Sequence, residues 1–399
     1  MPHEPPKAPT RDHDSVPGEG RKGGEHRHPC KKDLFSGRMV EPLDVVSHRD
    51  VVSLMEEVFA GSGFNARRLA EAASIWRKMI QKDATVCLTL AGAMTPIGMS
   101  GPIVSLIERG MVDFVISTGA NLYHDLHRAY DYPVRQGAAE VDDRLLHDVG
   151  VVRIYDTFIE EDDTLLATDT CILEASRRMD MARPFSSADF HKVLGEVVAE
   201  TAPHPEKSLL ARAAELDVPI YSSAPGDSSI GMNLVVPWVL QGPVPLNPIL
   251  DIIESTAIVR NATLNGAVEV GGGHPKNFYM QTQPTLWQIL HDDRGGHDFF
   301  IQLTTDSPHW GGLSGATPSE AHSWGKIKDP DKDSTVVYSC ASITFPLLAS
   351  YVMAAEAPRE PKRLFAQKDE WTRKLIEAAK DNPMVAEDWR TGHKSRRHG

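Results

Sequence analysis

Apolar residues in the middle of the chain recur with two periods, one typical of helices and one typical of strands. Residues 51–60, 65–81 and 99–109 carry apolar side chains three and four positions apart, which predicts amphipathic helices. Short apolar runs occupy 86–90, 112–117, 218–221, 266–270, 298–303 and 336–338, and each is followed by Gly, Ala, Ser or Thr. Runs of this length predict strands that end in small-residue loops.

The predicted strands alternate with helices, and this order indicates an α/β fold built on a parallel sheet with helices on both faces. Ligands of such folds bind at the carboxyl ends of the strands, where the small-residue loops lie. No G-x-G-x-x-G segment follows the first predicted strand, so the usual dinucleotide fingerprint is missing. Because no repeat or linker interrupts the pattern, we expect one Rossmann-like domain at 34–385.

The two ends of the chain differ from this domain in composition. Residues 1–33 are rich in Pro, Gly, His and charge and contain almost no large apolar side chain. Such a segment cannot bury enough apolar surface to order itself, which predicts a disordered tail. Residues 386–399 are basic, and we expect a loose C-terminus there.

Composition and charge restrict the class of protein. The chain has 399 residues and a net charge of −13, so a general basic surface for nucleic acid is not expected. Its four cysteines form no C-x-x-C pair, which argues against structural zinc or a disulfide framework. No apolar run reaches the about 20 residues of a membrane span, and no signal peptide is evident. We therefore expect a cytoplasmic protein without membrane contact.

The segment 314–327, SGATPSEAHSWGKI, contains the strongest candidate for chemistry. Lys326 follows Trp324 and Gly325, after a small-residue loop of the kind that lets a backbone approach a ligand closely. A lysine whose pKa is lowered by its surroundings can form a covalent imine with a carbonyl or imine carbon. The alternative for an isolated Trp-Gly-Lys is a core aromatic residue beside an ordinary solvated lysine.

This segment resembles the active-site segment of the deoxyhypusine synthase family, in which the corresponding lysine carries the covalent intermediate. Other stretches that resemble the family are MVD at 111–113, VISTGA at 115–120, SAPGDSSIG at 223–231, DIIE at 251–254, GGGHPK at 271–276 and FPLL at 345–348. They keep the family's order from about residue 40 to 355. The stretch WGGLSGA at 310–316 is similar to that of bacterial deoxyhypusine synthase-like proteins.

The resemblance implies an NAD-dependent aminoalkyl transferase. In the family, NAD takes a hydride from the polyamine carbon beside the secondary nitrogen, and the lysine captures the four-carbon amino fragment as an imine. An acceptor amine then displaces the lysine, and the stored hydride reduces the new imine. The family is usually a homotetramer with active sites at a dimer interface. We expect the same assembly here, with polyamine or related amine or guanidine substrates.

The resemblance also assigns roles to residues. Lys326 is the expected nucleophile, and Trp324 is the ring expected to pack on the substrate chain. The residues expected to bind NAD are Gly92, Ala93, Ser117, Thr118, Gly119, Asp227, Ser314, Gly315, Glu320, Cys340 and Ala341. His124 and His127 have a helical spacing that suits a metal, but no third ligand is evident, so no metal site is expected.

The chain departs from the family at positions that contact the substrate. Trp310 and Leu313 stand where the family has aspartates, and Met232 stands at a further acidic position. The family's proton-moving histidine aligns near Gln241, where this chain has no histidine. Leu313, Met232 and Gln241 are therefore the expected substrate contacts besides Trp324.

Two further family positions are changed near the expected cofactor loops. Tyr123 and His124 replace a pair of glutamates, and Cys340 replaces an aspartate. Since histidine titrates near neutral pH, His124 is the expected replacement for the missing acid–base group, with His309 as an alternative.

Three functions are consistent with these departures from the family pattern. Each lost carboxylate removes a charge-assisted contact of about 1.5–3 kcal/mol, so the family's usual triamine is not expected to bind in the usual way. Transfer to a small amine, as in a homospermidine synthase-like reaction, is therefore favoured over true deoxyhypusine synthase acting on a protein lysine. A catalytically silent nucleotide-binding homologue is the third alternative.

Overall fold

The structure is a computed structural model that describes residues 39–392. Residues 40–392 belong to one compact unit. The tail predicted at 1–33 and the last seven residues, 393–399, lie outside the described residues. None of the helices within 39–392 is long and apolar enough to cross a membrane.

A six-stranded sheet forms the centre of the fold, as the sequence predicts. Its strands are β1 (Thr85–Leu90), β2 (Phe114–Ser117), β6 (Ile220–Ser222), β7 (Asn265–Val270), β8 (Phe299–Thr304) and β9 (Ser334–Tyr338). Their order is β6-β2-β1-β7-β8-β9, and every pair is parallel. All six carboxyl ends therefore meet at one edge of the sheet, and the predicted α/β fold class is confirmed.

Helices cover both faces of this sheet. They are α1 (Val51–Ser53), α2 (Phe64–Gln81), α3 (Ser100–Glu108), α4 (Gly119–Ala129), α5 (Asp143–Asp148), α6 (Ala167–Arg178), α7 (Ser187–Thr201), α8 (Leu209–Glu215), α9 (Ser229–Asn233), α10 (Val235–Gln241), α11 (Pro248–Asn261), α12 (Gly273–Met280), α13 (Thr282–Pro284), α14 (Pro318–Ser323), α15 (Ala341–Ala355), α16 (Phe365–Asp381) and α17 (Pro383–Thr391). Wider π-helical turns span Leu54–Phe59, Glu161–Leu166 and Thr285–Ile289. Short 3₁₀ turns span Pro205–Lys207, Pro308–Trp310 and Leu313–Gly315.

Alternate residues of β1 belong to the two hydrophobic layers of the molecule. Val86 and Leu88 pack in the larger core cluster, which includes the buried Trp76 of α2. Cys87 points to the other face and packs in a second cluster with Tyr279 of α12. Because both faces are covered, the central strands carry nearly continuous apolar runs, as parallel strands do.

A second, smaller sheet was not predicted from the sequence. It consists of β3 (Val134–Gln136), β4 (Val151–Ile154) and β5 (Thr157–Glu160), which pair antiparallel in the order β3-β5-β4. These strands have three or four residues each, and most of their side chains are exposed or half-buried. Too few apolar positions recur in them to give a strand signal.

The folded chain extends past the boundary predicted at 385. Helix α17 continues to Thr391, and Asp388 of this helix lies 2.7 Å from His291 between Nε2 and Oδ2. The basic composition of this segment gave no sign of the contact, since a long-range ion pair leaves no periodic pattern in the sequence.

Candidate active site

The loops at the carboxyl edge of the large sheet are tied to one another by short hydrogen bonds. Thr118 Oγ1 donates to the carbonyl of Gly92 at 2.6 Å, which joins the loops after β2 and β1. Asn121 of α4 accepts from the backbone N–H of Met94 at 2.6 Å and so fixes the same β1 loop. Ser314 Oγ accepts from the N–H of Gly273 at 2.9 Å, which joins the loops after β8 and β7.

Glycines permit two of the closest approaches between these loops. A Cβ on Gly119 would lie 1.9 Å from the Cβ of Ser228, and a Cβ on Gly272 would lie 2.5 Å from the Cα of Ser314. Both distances are far below van der Waals contact, so any larger residue would separate the loops. Gly119 and Ser314, both predicted to bind a nucleotide, therefore each lie where two loops of the edge approach closely.

The backbone of Lys326 is held from two sides. Its N–H donates to the carbonyl of Ala321 at the end of α14, at 3.0 Å, and its carbonyl accepts from the N–H of His297 at 2.9 Å. Between them, Gly325 adopts a left-handed φ of +67°, and a Cβ there would lie 2.9 Å from Nε1 of Trp287. The Trp-Gly-Lys turn is therefore fixed by contacts that a side chain at 325 would break.

The side chain of Lys326 faces a neutral partner rather than an anion. Its Nζ donates to Asn277 Oδ1 at 3.1 Å and lies 5.7 Å from the ring centre of Trp324. Partial burial lowers the pKa of Lys326 below its usual range, while Glu320 and Glu269 act in the opposite direction. An amine with a lowered pKa and an accepting amide beside it can serve as a nucleophile.

A buried polar cluster lies next to this lysine. Lys276 Nζ donates to Gln302 Oε1 and to the carbonyl of Ala316, both at 2.7 Å, so it fixes the loop after β8. Glu269 of β7 is fully buried, and neither of its carboxylate oxygens has a hydrogen-bond partner. Burial raises the pKa of Glu269 above its usual range, although Lys276 and Lys326 oppose this shift.

Asn277 also lines a cavity of about 290 Å³. It is lined by side chains of α11, α12 and the following turn together with the loop after β6: Ser223, Ile252, Ser255, Thr256, His274, Asn277, Phe278, Gln281, Thr282 and Thr285. No Asp, Glu, Lys or Arg is among these residues. Thr256 is fully buried, and its hydroxyl has no hydrogen-bond partner.

His124 lies in a different part of the sheet edge from Lys326. It is on α4 after β2, and three strand spacings of about 4.8 Å separate β2 from β8. Its Nδ1 is 2.8 Å from Nε2 of His127, whose Nδ1 is 2.8 Å from the hydroxyl of Thr168. Burial lowers the pKa of His124 to about 4 and that of His127 to about 3, so both rings are neutral at pH 7.

The tautomers of this histidine pair follow from the hydrogen bonds. The Thr168 hydroxyl donates to the carbonyl of Thr164 at 2.7 Å, so its oxygen accepts from His127 Nδ1–H. His127 Nε2 is then the acceptor for His124 Nδ1–H, which leaves His124 Nε2 as an acceptor. Within residues 39–392, no group of three His, Cys, Asp or Glu side chains could hold a metal ion.

The other predicted substrate contacts are exposed, and none of them has a contact with Lys326 in the described part of the chain. Leu313 lies in the loop after β8, as do Trp310 and His309, and His309 Nδ1 is 2.7 Å from Ser307 Oγ. Met232 and Gln241 lie on α9 and α10, after the edge strand β6. Their predicted roles stay predictions.

The remaining predicted cofactor residues also lie at the carboxyl ends of strands. Ala93 follows β1 beside Gly92, Ser117 ends β2, and Asp227 is exposed in the loop after β6. Gly315 and Glu320 lie in and after the loop that contains Ser314. Cys340 precedes α15, which begins at Ala341, and the Cys340 Sγ is 3.0 Å from Ser342 Oγ.

Two residues of the candidate site were not predicted from the sequence. Asn277 directly follows the GGGHPK stretch, but nothing in the linear sequence indicates that it meets Lys326, which is 49 positions away. Glu269 did leave a signal, because it is a lone carboxylate in the run Gly-Ala-Val-Glu-Val that predicts a buried strand. Because burying a charged group in an apolar interior is costly, a carboxylate at such a position indicates that its surroundings differ from an ordinary apolar core.

Comparisons with known proteins agree on one family. The family model described as "DS: Deoxyhypusine synthase" matches residues 53–352. The chain is 41% identical over 361 residues to the "Deoxyhypusine synthase-like protein" of Nostoc sp. (strain PCC 7120), with 87% of this chain and 94% of that protein covered. It is 39% identical over 318 residues to the "Probable deoxyhypusine synthase 2" of Methanosarcina acetivorans, with 79% and 90% covered.

A solved structure has the same fold. The crystal structure of a "putative deoxyhypusine synthase" from Entamoeba histolytica superposes with a TM-score of 0.51 at 15% sequence identity. The match covers 80% of this chain and 99% of that chain.

Proposed function

Because the chain belongs to the deoxyhypusine synthase family, we propose that it transfers an aminobutyl-type group from a polyamine to an acceptor amine through an imine on Lys326. The observation that carries the proposal is the half-buried Lys326, whose Nζ donates to the neutral Asn277 at 3.1 Å. Only a neutral amine can attack an imine carbon, and the surroundings of this lysine favour that form.

The proposed cofactor is NAD, and the residues at the sheet edge fit a nucleotide. Ser222 and Ser223 have buried hydroxyl oxygens without hydrogen-bond partners, and the N-terminus of the 11-residue α4 opens on the same edge. The residues that would hold it are Gly92, Ala93, Ser117, Thr118, Gly119, Asp227, Ser314, Gly315, Glu320, Cys340 and Ala341. When bound, the nicotinamide accepts a hydride from the donor and later returns it.

The chain's own residues supply the other requirements of the reaction. Asn277 orients the lysine amine, and the ring of Trp324, which is 57% exposed, is available to pack against an alkylammonium chain. The contacts that fix the Gly325 turn would hold the backbone of Lys326 in place during the reaction. His124 would act as a proton acceptor through Nε2. This role requires that a second copy of the chain brings a His124 close to Lys326, or that the substrate reaches from one residue to the other.

A small amine is the proposed acceptor, and the cavity behind Asn277 is its proposed site. The cavity is lined by hydroxyls, amides, apolar groups and the imidazole of His274, without a carboxylate. Such a lining disfavours an ammonium ion and so favours the free base, which is the form that attacks an imine. A volume of about 290 Å³ suits a short diamine.

A homotetramer with sites at a dimer interface is part of the proposal. The helix α10, of sequence VVPWVLQ, leaves Val239 73% and Leu240 76% exposed, and Trp238 and Val235 are exposed beside them. A second copy of the chain covering this surface would bring its own loops near the sheet edge. Leu240→Asp should then reduce the molar mass measured by light scattering.

Label transfer tests the proposed reaction. The enzyme is incubated with NAD, unlabelled spermidine and isotopically labelled putrescine, and the triamine product is analysed by mass spectrometry. Appearance of label in homospermidine, together with released diaminopropane and loss of both products in Lys326→Arg, would support a small-amine acceptor. Transfer only to a protein lysine would assign true deoxyhypusine synthase activity, and no transfer with NAD binding retained would assign a silent homologue.

A further inference from the structure

One side of α12 borders the cavity of the proposed acceptor site. His274, Asn277 and Phe278 line the cavity together, and their spacing of three and four positions places them on the same side of the helix. Residues one helical turn apart have Cβ atoms about 5–6 Å from each other. His274 therefore stands one turn before Asn277, which accepts the hydrogen bond of Lys326 at 3.1 Å.

The imidazole of His274 is available to a ligand. The residue is exposed, whereas Thr256 and Thr282 of the lining are buried, so His274 lies where the cavity meets solvent. Among residues 39–392 the ring of His274 has no hydrogen-bond, ion-pair or ring partner. Hydrogen bonding within the described chain therefore gives no reason for a histidine at this position.

The proposed reaction needs a group that removes a proton from the acceptor. An alkylamine has a pKa near that of lysine, about 10.4, so a diamine reaches the enzyme at pH 7 as an ammonium ion without a lone pair for attack. The hydroxyls and amides of the lining do not take up protons near neutral pH. No Asp, Glu, Lys or Arg lines the cavity, and histidine is the side chain that ordinarily titrates near pH 7. His274 is thus the one lining residue suited to accept that proton.

Two other histidines near the sheet edge are placed less well for this step. His124 is hydrogen-bonded to His127 and lies after β2, three strand spacings from β8. The backbone of His297 contacts that of Lys326, but His297 is fully buried and does not line the cavity.

We propose that His274 is the general base that removes a proton from the acceptor amine in the cavity, and this inference rests on the proposed function. An N–H bond of the acceptor ammonium breaks, and its proton binds the imidazole of His274. The freed lone pair forms a bond to the iminium carbon held on Lys326. A proton of the attached nitrogen moves to the Lys326 nitrogen, the bond from the carbon to Lys326 breaks, and the lysine leaves as a neutral amine.

Charge and protons balance in this sequence of steps. One positive charge passes from the acceptor ammonium to the imidazolium of His274, and the other passes from the iminium of Lys326 to the new iminium. Because His274 is exposed, its extra proton can then pass to solvent. None of these steps is an oxidation or a reduction.

Release of the group from Lys326 distinguishes a general base from a residue that only lies nearby. Lys326 is loaded from spermidine and NAD, an acceptor is added at pH 7, and the remaining adduct is trapped with borohydride at intervals. His274→Gln should load at the wild-type rate, which also shows that it is folded, and release to putrescine should slow about 100-fold. Hydroxylamine is largely unprotonated at pH 7, so it needs no base and should release the group equally fast from both proteins.

The matched control is His147→Gln, because His147 is exposed on α5 and does not line the cavity. This variant should leave both release rates unchanged. Imidazole added to His274→Ala should restore part of the release to putrescine, since this position opens to solvent. Equal slowing with putrescine and hydroxylamine, or no slowing with either, would overturn the inference.

Chemical modification of the histidine needs no adduct. Diethylpyrocarbonate labels exposed histidines, and the labelling of His274 and His147 is read from one digest by peptide mass spectrometry, which cancels any reagent that the diamine consumes. Saturating putrescine should suppress labelling of His274 and leave that of His147 unchanged, and a His274 that putrescine does not protect would overturn the inference. If the wild type forms no adduct, the proposed function fails, and this protection alone then decides whether the His274 imidazole borders a bound amine.

Discussion

Lys326 donates a hydrogen bond to Asn277 at 3.1 Å, and this contact joins the proposed nucleophile to the helix that borders the cavity. Asn277 stands in the first turns of α12, directly after the Gly271–Gly273 loop at the end of β7. Asn277 therefore both contacts Lys326 and lines the cavity. A group transferred from a covalent imine to an amine in the cavity would pass this residue.

Replacing Asn277 by aspartate should move the reactivity of Lys326 to higher pH. A carboxylate at this distance stabilises the ammonium form and should raise the pKa of Lys326 by about one to three units. Imine formation at pH 7 should fall accordingly, and it should recover as the pH is raised. The pH profile of adduct formation checks this. Asn277→Ala, which adds no charge, should lower the yield without an alkaline shift, and an identical profile for both variants would argue against the contact.

Gly325→Ala should abolish adduct formation while the protein stays folded. The new Cβ would have an unfavourable left-handed φ and would lie 2.9 Å from Trp287 Nε1, so the Trp-Gly-Lys turn must shift. Gly150 is a matched control, because its φ of +69° is similar and its Cβ would meet no atom within 4 Å. Gly150→Ala should lower the free energy of unfolding by about 1 kcal/mol and leave adduct formation unchanged. Equal yields from the two variants would contradict the role of the turn.

Thr256→Val should weaken acceptor binding with little effect on stability. The Thr256 hydroxyl is buried at the cavity without an internal partner, so removing it breaks no bond of the folded protein. If it binds the acceptor, KM for putrescine should rise about two- to tenfold, while the rate of adduct formation from the donor stays the same. Thr372→Val removes a similar unpartnered hydroxyl on α16, away from the cavity, and should leave KM unchanged.

The strands of the large sheet could be predicted from local pattern, and the structure confirms them and the edge where they end. The role of Lys326 as a nucleophile, predicted from the segment around it, stays a prediction. The contact between Asn277 and Lys326 and the cavity that Asn277 lines depend instead on how α12 packs against loops that are distant in sequence. No spacing of residues along the chain indicates that packing. The helical spacing of His124 and His127 was visible in the sequence, but the contact of His127 with Thr168 depends on the packing of α4 against α6.

The His124–His127 pair should make the protein less stable in acid. The pKa of His127 is about 3 in the folded chain and 6.5 in the unfolded reference, so only the unfolded chain binds this proton between those values. Its contribution is therefore fully present above pH 6.5 and is lost as the pH falls toward 3, by at most about 1.4 kcal/mol per pH unit.

A variant isolates this contribution from those of the buried carboxyls. His127→Gln keeps a hydrogen-bonding side chain but cannot titrate. Its free energy of unfolding, measured by urea denaturation from pH 6.5 to 4, should fall less steeply with decreasing pH than that of the wild type. Parallel slopes for the two proteins would contradict the assignment of a neutral, buried His127.

Borohydride trapping at Lys326 is the most direct test of the proposed chemistry. The protein is incubated with NAD and, in separate reactions, spermidine, homospermidine, putrescine or agmatine, then reduced and digested for peptide mass spectrometry. A four-carbon amine adduct on Lys326, which requires NAD and is absent from Lys326→Arg, is the expected result, and the reaction that gives it identifies the donor. A protein that binds NAD but gives no adduct with any of these amines would contradict an imine mechanism at this lysine.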